Sequence, residues 1–521
     1  MGMTGWTCEN GAVRGQRELT RATAILTGSV LSITGLLVAR TPGAEGAPAL
    51  AGAAVRSVAV TNAGGPSAAV TSAAVTSAAG PSGGGPSGGG KACGPTNGGG
   101  EAPWPQFGGT GAHTGVGVSA AALAGPLRQE WTTPALDGAV YGEPLVAGGC
   151  LFVATENDSI YAFSATTGGL RWQVHLAAPV TAGLPCGDID PSGITGTPVL
   201  DAAHGSLWAV VATSGSGGPT HELVELKAST GQVERRQAFA MPGRSAAAEQ
   251  ERGALTVAHG NVYVPMGGLF GDCSNYAGGV VSVPEASGHS PGYFEVPTAR
   301  GAGMWEPSGP DVLANGDLLI ADGNGAAGPG QSFDGSNAVI ELSAGLKMTA
   351  YFAPSEWAAW DEDDLDLGSS GPAVLPGGMA FQAGKSGTGY LVDTSRLGGV
   401  GGQVASLQVC NGTGAFGADA VSGETVYVPC TNGLTALSVT GRSMHIVWHS
   451  SGGGEGSPVV AGSRVWEETP NGSLYGINAS TGSIGETFSF PAPATHFPWV
   501  IAVDGTLYAP DGQRVTALRR A

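Results

Sequence analysis

The chain has 521 residues, of which 91 are glycine and only 12% are charged, and it carries a formal net charge of -19. An acidic surface of this kind has no basic face to meet phosphates, so nucleic acid is excluded as a partner. Low charge, abundant glycine and no sustained helical period after residue 40 point to an all-β protein built from hairpins.

In chain order, residues 1–40 read as a signal peptide or membrane anchor. Arg14, Arg17 and Arg21 precede the uncharged run ATAILTGSVLSITGLLVA, the layout of a basic and then apolar targeting segment. A run this short stands at the lower limit for one membrane crossing. Cleavage and retention as a single anchor are both open, and either makes the remainder secreted or extracytoplasmic. Residues 41–103 are rich in Ala, Gly, Ser and Pro and end in GPSGGGPSGGGKACGPTNGGG. Such a composition cannot bury enough apolar surface to offset chain entropy, so a disordered linker carrying no site is expected.

Residues 104–521 are the expected folded part. They open on WPQFGGTGAHTG, followed by an isolated strand-like stretch, LRQEWTT, at 127–133. Residues 142–172 then show the apolar segments PLVAG, CLFVAT, SIYAF and LRW, split by Gly-Gly, Glu-Asn-Asp and Thr-Gly-Gly. This is the pattern of antiparallel strands joined by tight hairpins. The unit returns further on: Pro144, Tyr161 and Gly168 have the same spacing as Pro458, Tyr475 and Gly482. Units at 136–178, 188–240, 250–299, 301–356, 364–408, 411–450 and 453–491 follow roughly the forty-odd-residue period of propeller blades. The tail supplies only PWVIAV, TLYAP and VTALR, which leaves one sheet edge unpaired. The strand at 127–133 can fill it. The expected fold is therefore an eight-bladed β-propeller with four-stranded antiparallel blades, closed by an N-terminal strand.

Of the seven cysteines, Cys8 precedes the apolar run, whereas Cys93, Cys150, Cys186, Cys273, Cys410 and Cys430 follow it, in a disulfide-permissive setting. Cys150 with Cys186 and Cys410 with Cys430 are the expected pairs, among about fifteen possible connectivities. Trp131, Trp172 and Trp448 end the last strands of their units and are expected to pack between blades. The acidic run in EWAAWDEDDLDLGSSGP is expected to be a solvated loop. AGKSG at 383–387 lacks the first glycine and the following helix of a phosphate loop, which excludes nucleotide binding.

The WPQFGG opening, the YAFSATTGGLRW block and PVVAGSRVW followed by SLYGINASTG resemble the PQQ-like (quinoprotein alcohol dehydrogenase-like) propeller superfamily, whose eight blades are docked by tryptophans. The resemblance spans 104–521. Its members include quinoprotein alcohol dehydrogenases, polyvinyl-alcohol-dehydrogenase-like enzymes and cofactor-free scaffolds of outer-membrane assembly. In the quinoproteins a tryptophan opening the fourth blade stacks on the quinone, an asparagine in T-G-N-G binds calcium, and a basic residue of the next blade contacts the quinone oxygens. By resemblance these roles fall on Trp305 in GMWEPSG, Asn324 in IADGNG and Lys385 in GKSGTGYLVD. The catalytic aspartate of the family has Ser336 in its register here, with Asp334 two residues earlier in FDGSNAVIEL. Leu269, in MGGLFGD, stands where a calcium-binding glutamate belongs, and leucine offers a hard cation no oxygen. The paired cysteines that flank the quinone in the family are absent.

These departures favour an exported, non-catalytic or degenerate module of the cell envelope that binds a small molecule or an envelope protein and requires no cofactor. The alternative is a PQQ- and calcium-dependent dehydrogenase oxidising an alcohol, with Asp334 catalytic, Trp305 and Lys385 holding the quinone and Asn324 the metal. A third reading is an envelope-assembly scaffold.

Overall fold

Short apolar runs interrupted every few residues by glycine or asparagine can satisfy their backbone groups only by pairing with their immediate neighbours in sequence. The computed structural model, which describes residues 92–94, 104–117, 123, 125–215 and 217–521, shows this pairing repeated in eight antiparallel sheets. Blade 1 comprises Leu145–Ala147, Cys150–Thr155, Ser159–Ser164 and Leu170–His175, paired in sequence order. Blades 2 to 7 repeat the order within residues 199–239, 249–295, 311–353, 373–408, 420–450 and 459–489. One irregularity is a two-residue strand, Gly399–Val400, that leaves blade 5 and pairs in parallel with Met348–Ala353 of blade 4.

Blade 8 is shared between distant parts of the chain. Ile501–Val503, Thr506–Pro510 and Val515–Arg520 are joined by Leu127–Thr132, in a register running from Leu127 opposite Arg520 to Thr132 opposite Thr516. Apolar clusters then bridge each neighbouring pair of blades around the ring. Leu207 and Trp172 share one cluster, for example, and Trp499 and Val146 share another. The expected closed eight-bladed ring is thus present.

The tryptophans expected to pack between blades do so, each against the Thr-Gly turn of the next unit. A Cβ added to Gly168, Gly231 or Gly482 would lie 2.7, 2.5 or 2.7 Å from the rings of Trp131, Trp172 or Trp448. These glycines also have φ of +67°, +74° and +71°, a backbone region costly for any residue with a Cβ. Trp172 Nε1 donates to Ala228 O at 3.1 Å, and Trp448 Nε1 to Ala479 O at 3.0 Å. The turn glycine is therefore the seat for the preceding blade's indole, which is why the two recur together in sequence.

The opening WPQFGGTGAHTG crosses the axis of the ring. Trp104 pairs with Val146 of blade 1, Leu200 N of blade 2 donates to Pro105 O, Val312 N of blade 4 donates to Gly111 O, and Val421 N of blade 6 donates to Thr114 O. Phe107 lies buried between Ala254 and Ala418, from blades 3 and 6. The segment is a plug that ties together blades far apart in sequence.

Two expectations need correction. Cys150 pairs with Cys93, and Cys186 with Cys273; only Cys410 with Cys430 is as expected. Cys150 begins its strand, whereas the segment leading from Cys186 into blade 2 meets the far end of that strand, where Ile194 N donates to Thr155 O. Five residues of strand span about 17 Å, far beyond the reach of a disulfide. The expected linker also contains Cys93, which is buried, bonded to blade 1 and donates its N–H to Ser229 O at 3.1 Å. Residues 1–40 and the remainder of that linker lie outside the described residues.

Buried carboxyls bring a pH dependence. Glu143 accepts from Trp104 Nε1 at 2.6 Å and from Gly108 N at 3.0 Å, and burial pushes its pKa up to about 8. Burial likewise raises Glu156 to about 7. The folded state holds protons on these groups that the unfolded chain releases above its ordinary pKa of about 4.5, so stability falls as pH rises from about 4.5 to 8. The melting temperature is expected to be higher at pH 5 than at pH 8.5, and Glu143→Gln should flatten that slope. A melting temperature that rises across this window would contradict the assignment.

Candidate functional site

Trp305, Asn324 and Lys385 come from three separate stretches, and the fold brings them together around Asp366. Asp366 Oδ1 accepts from Asn324 N at 2.7 Å, and its Oδ2 pairs with Lys385 Nζ at 2.5 Å. A side chain at Gly323 would collide with both Asp366 and the Trp305 ring, so glycine there lets the two approach. Trp305 packs in turn on Tyr276, whose hydroxyl donates to Asp272 at 2.5 Å.

The acidic run is not a solvated loop. Trp357–Asp363 is an α-helix seated by buried Trp357 and Trp360, and it ends at Asp364 in the left-handed conformation. This geometry turns three of the carboxylates inward, while Glu362 and Asp363 remain exposed. Asp364 gives Lys385 a second partner at 3.0 Å. Asp361 accepts from Gly325 N and Asn337 Nδ2 at 2.6 and 2.9 Å, its other oxygen lies 2.8 Å from Ser336 Oγ, and burial raises its pKa to about 6. Burial alone would lower the pKa of Lys385, but Asp366 and Asp364 outweigh it and hold the ammonium charged well above its usual range.

Asp334 sits on the same face, in a cradle of donors. It accepts from Thr298 Oγ1 and Ser336 Oγ at 2.6 Å each, and from Ala327 N and Ser336 N at 3.1 and 3.2 Å. Burial works against its charge, but the bonds from Ser336 and Thr298 prevail and lower its pKa. A carboxylate so stabilised is a weak proton acceptor. Leu269 is buried beside Gly187, next to the Cys186–Cys273 disulfide.

The oxygens of Asp334, Asp361 and Asp366 all carry hydrogen bonds or an ion pair. Asn324 Oδ1 and Asp322 Oδ2 are buried acceptors without a partner among the described residues, and Leu269 stands in place of a carboxylate. Calcium takes six to eight oxygens, so the residues as arranged do not fit that ion. Lys385 likewise has its charge offset by two carboxylates.

Sequence reasoning missed Arg252. It lines a shallow, solvent-open cleft whose walls include Tyr141, Trp305, His496, Phe497 and Trp499. Its guanidinium lies 5.3 Å from the centre of the Phe497 ring, and among the described residues it makes no hydrogen bond and no ion pair within 4.0 Å. Burial lowers its pKa, opposed by the more distant Asp188, Tyr141 and Glu156. No motif marks this residue, because its significance lies in the counter-ion that it lacks.

Comparison with known proteins agrees with the geometry. Residues 114–288 match the family model described as outer membrane protein assembly factor BamB. Among solved structures, the chain is similar to the quinohemoprotein alcohol dehydrogenase ADHIIG of Pseudomonas putida HK5, with a TM-score of 0.62, 14% identity and 80% of each chain covered. It is similar to the quinohemoprotein alcohol dehydrogenase of Comamonas testosteroni, with a TM-score of 0.61, 16% identity and 81% of each chain covered. A third similar structure is BamB from Moraxella catarrhalis, with a TM-score of 0.52 and 16% identity, covering 76% of this chain and all of that one. No curated protein sequence matches. Identities this low speak for the fold and not for an activity. The closed ring of eight sheets and the indoles docked on turn glycines make the chain an eight-bladed β-propeller, similar in fold to these proteins and matching the BamB family model over residues 114–288.

Proposed function

We propose that this propeller is a non-catalytic ligand-binding module working outside the cytoplasm, and that its ligand is a small anion carrying an aromatic or other flat apolar body. The observation that carries the reading is Arg252, whose guanidinium lies over the Phe497 ring and makes no hydrogen bond or close ion pair among the described residues, in a cleft walled by Trp305 and Trp499. A partly buried cation without a counter-ion is costly, and a carboxylate or sulfonate would complete it with paired hydrogen bonds while the indoles cover the ligand's apolar part. Three disulfides suit an oxidising compartment, and the likeness to BamB supports a place in the cell envelope.

The probe is 8-anilino-1-naphthalenesulfonate, followed by its fluorescence. The native protein is expected to bind it saturably, and Arg252→Ala to weaken binding by roughly tenfold or more, the loss of one charge-assisted pair, with an unchanged melting curve. Equal affinity in Arg252→Ala would remove the basis of the proposal.

The convergence of Trp305, Asn324 and Lys385 on Asp366 favours a second reading, a quinoprotein dehydrogenase acting on an alcohol. Incubation with PQQ and calcium, followed by a dye-linked alcohol oxidation assay, separates the two. Turnover that requires both added PQQ and added calcium would establish the enzyme and overturn the non-catalytic reading.

A further inference from the structure

Away from the cleft, two blades offer metal-ligating side chains to one another. Asp201 ends the strand Val199–Asp201 of blade 2, His204 lies in the turn that follows, and Glu285 follows the strand Gly279–Pro284 of blade 3. One ligand atom from each lies within 4.8 Å of the other two. His204 Nδ1 contacts Asp201 Oδ2, and a Glu285 carboxyl oxygen completes the group from the neighbouring blade. We propose that Asp201, His204 and Glu285 form a binding site for a first-row divalent cation of the zinc type, which clamps blade 2 to blade 3.

The backbone holds the two carboxyls together. Glu285 N donates to Gly260 O at 2.9 Å, while Arg235 donates to Glu285 O at 2.9 Å and to Pro284 O at 2.8 Å from above the Trp208 ring. On the other blade, Gly205 N donates to Asp201 O at 2.8 Å and Ala203 N to Asp201 Oδ1 at 2.9 Å. Rigid neighbouring strands therefore press two like-charged groups together, with Glu225 close enough to add to the negative field. Arg235 is spent on backbone carbonyls and the indole, and among the described residues His204 is the only basic group within ion-pair range of Asp201 and Glu285. Two carboxyls facing one imidazole leave a net negative charge that a dication offsets.

The donor set also selects the metal. Two carboxylate oxygens and one imidazole nitrogen suit zinc and its first-row neighbours, which accept mixed oxygen and nitrogen ligands at about 2.0–2.2 Å. Magnesium prefers oxygen and retains its waters. The His204 side chain is 74% exposed, so its ring can turn to complete the set, and three protein ligands leave a fourth position to water.

The test uses the full chain, stripped with EDTA and titrated calorimetrically with zinc chloride and separately with magnesium chloride. One saturable zinc site is expected, accompanied by a rise in melting temperature that EDTA reverses. His204→Ala and Glu285→Gln are each expected to weaken that site at least about tenfold, and magnesium to bind far less tightly. His204 is a surface residue and Glu285→Gln preserves shape, so both variants should fold. Absence of a saturable zinc site, equal zinc affinity in both variants, or magnesium binding as tight as zinc would each overturn the proposal.

Discussion

A chain beginning at Pro134 is expected to lose cooperative folding, although every strand of the propeller but Leu127–Thr132 would remain. Such a chain lacks Leu127–Thr132, so Val515–Arg520 becomes an open edge, and it lacks the axial plug. The side chains of Trp104, Phe107, Leu127 and Trp131, which pack into the first and last blades or across the axis, disappear with them. At about 1.5–3 kcal/mol for each large apolar side chain buried, the loss is roughly 6–12 kcal/mol, the size of a whole domain's net stability. The exposed strand is also a template for aggregation. Circular dichroism melts and size-exclusion chromatography of this chain, beside one beginning at Ala92, provide the check. A soluble monomer that still melts cooperatively near the native temperature would show that ring closure contributes little.

Lys385→Met is expected to destabilise the protein by about 3–5 kcal/mol, the cost of leaving a buried charge without its partner. Asp366 is almost fully buried, and Lys385 is its sole cation among the described residues, shared with Asp364. Adding Asp366→Asn should restore much of the loss, because the residual charge is then removed. Arg252→Met is the internal contrast: among the described residues Arg252 has no ion-pair partner within 4.0 Å to strand, and removing it relieves the burial of its charge. Its melting temperature should stay level or rise. Chemical denaturation of the three variants decides the matter. If Lys385→Met proved neutral while Arg252→Met was strongly destabilising, the two cations would have been assigned the wrong roles.

Much of the architecture was legible in the order of residues because propeller blades are local. Each strand pairs with the next through a hairpin, so turn residues and alternating apolar positions suffice to locate the sheets. The Thr-Gly turns and terminal tryptophans were legible for the same reason, as both belong to a short repeated unit. Trp305, Asn324 and Lys385 could be singled out by the motifs around them, and they do meet in space.

Non-local relations were not legible. The pairing of Cys150 with Cys93 depends on which end of a strand faces which loop. The fate of the acidic run depends on two tryptophans finding a seat, which turns Asp361, Asp364 and Asp366 inward to occupy the donors and the ammonium that a cofactor would need. Arg252 and the Asp201–His204–Glu285 cluster are defined by what surrounds them across blade boundaries. The amino-acid order by itself determined the number of blades and their strand sequence, since those follow from contacts between neighbours along the chain, and the three-stranded tail left an open edge that the spare strand Leu127–Thr132 fills. The tertiary structure alone decided which charges are neutralised and which stand unpaired, since Coulomb interactions and burial depend on distance in space and not on separation along the chain.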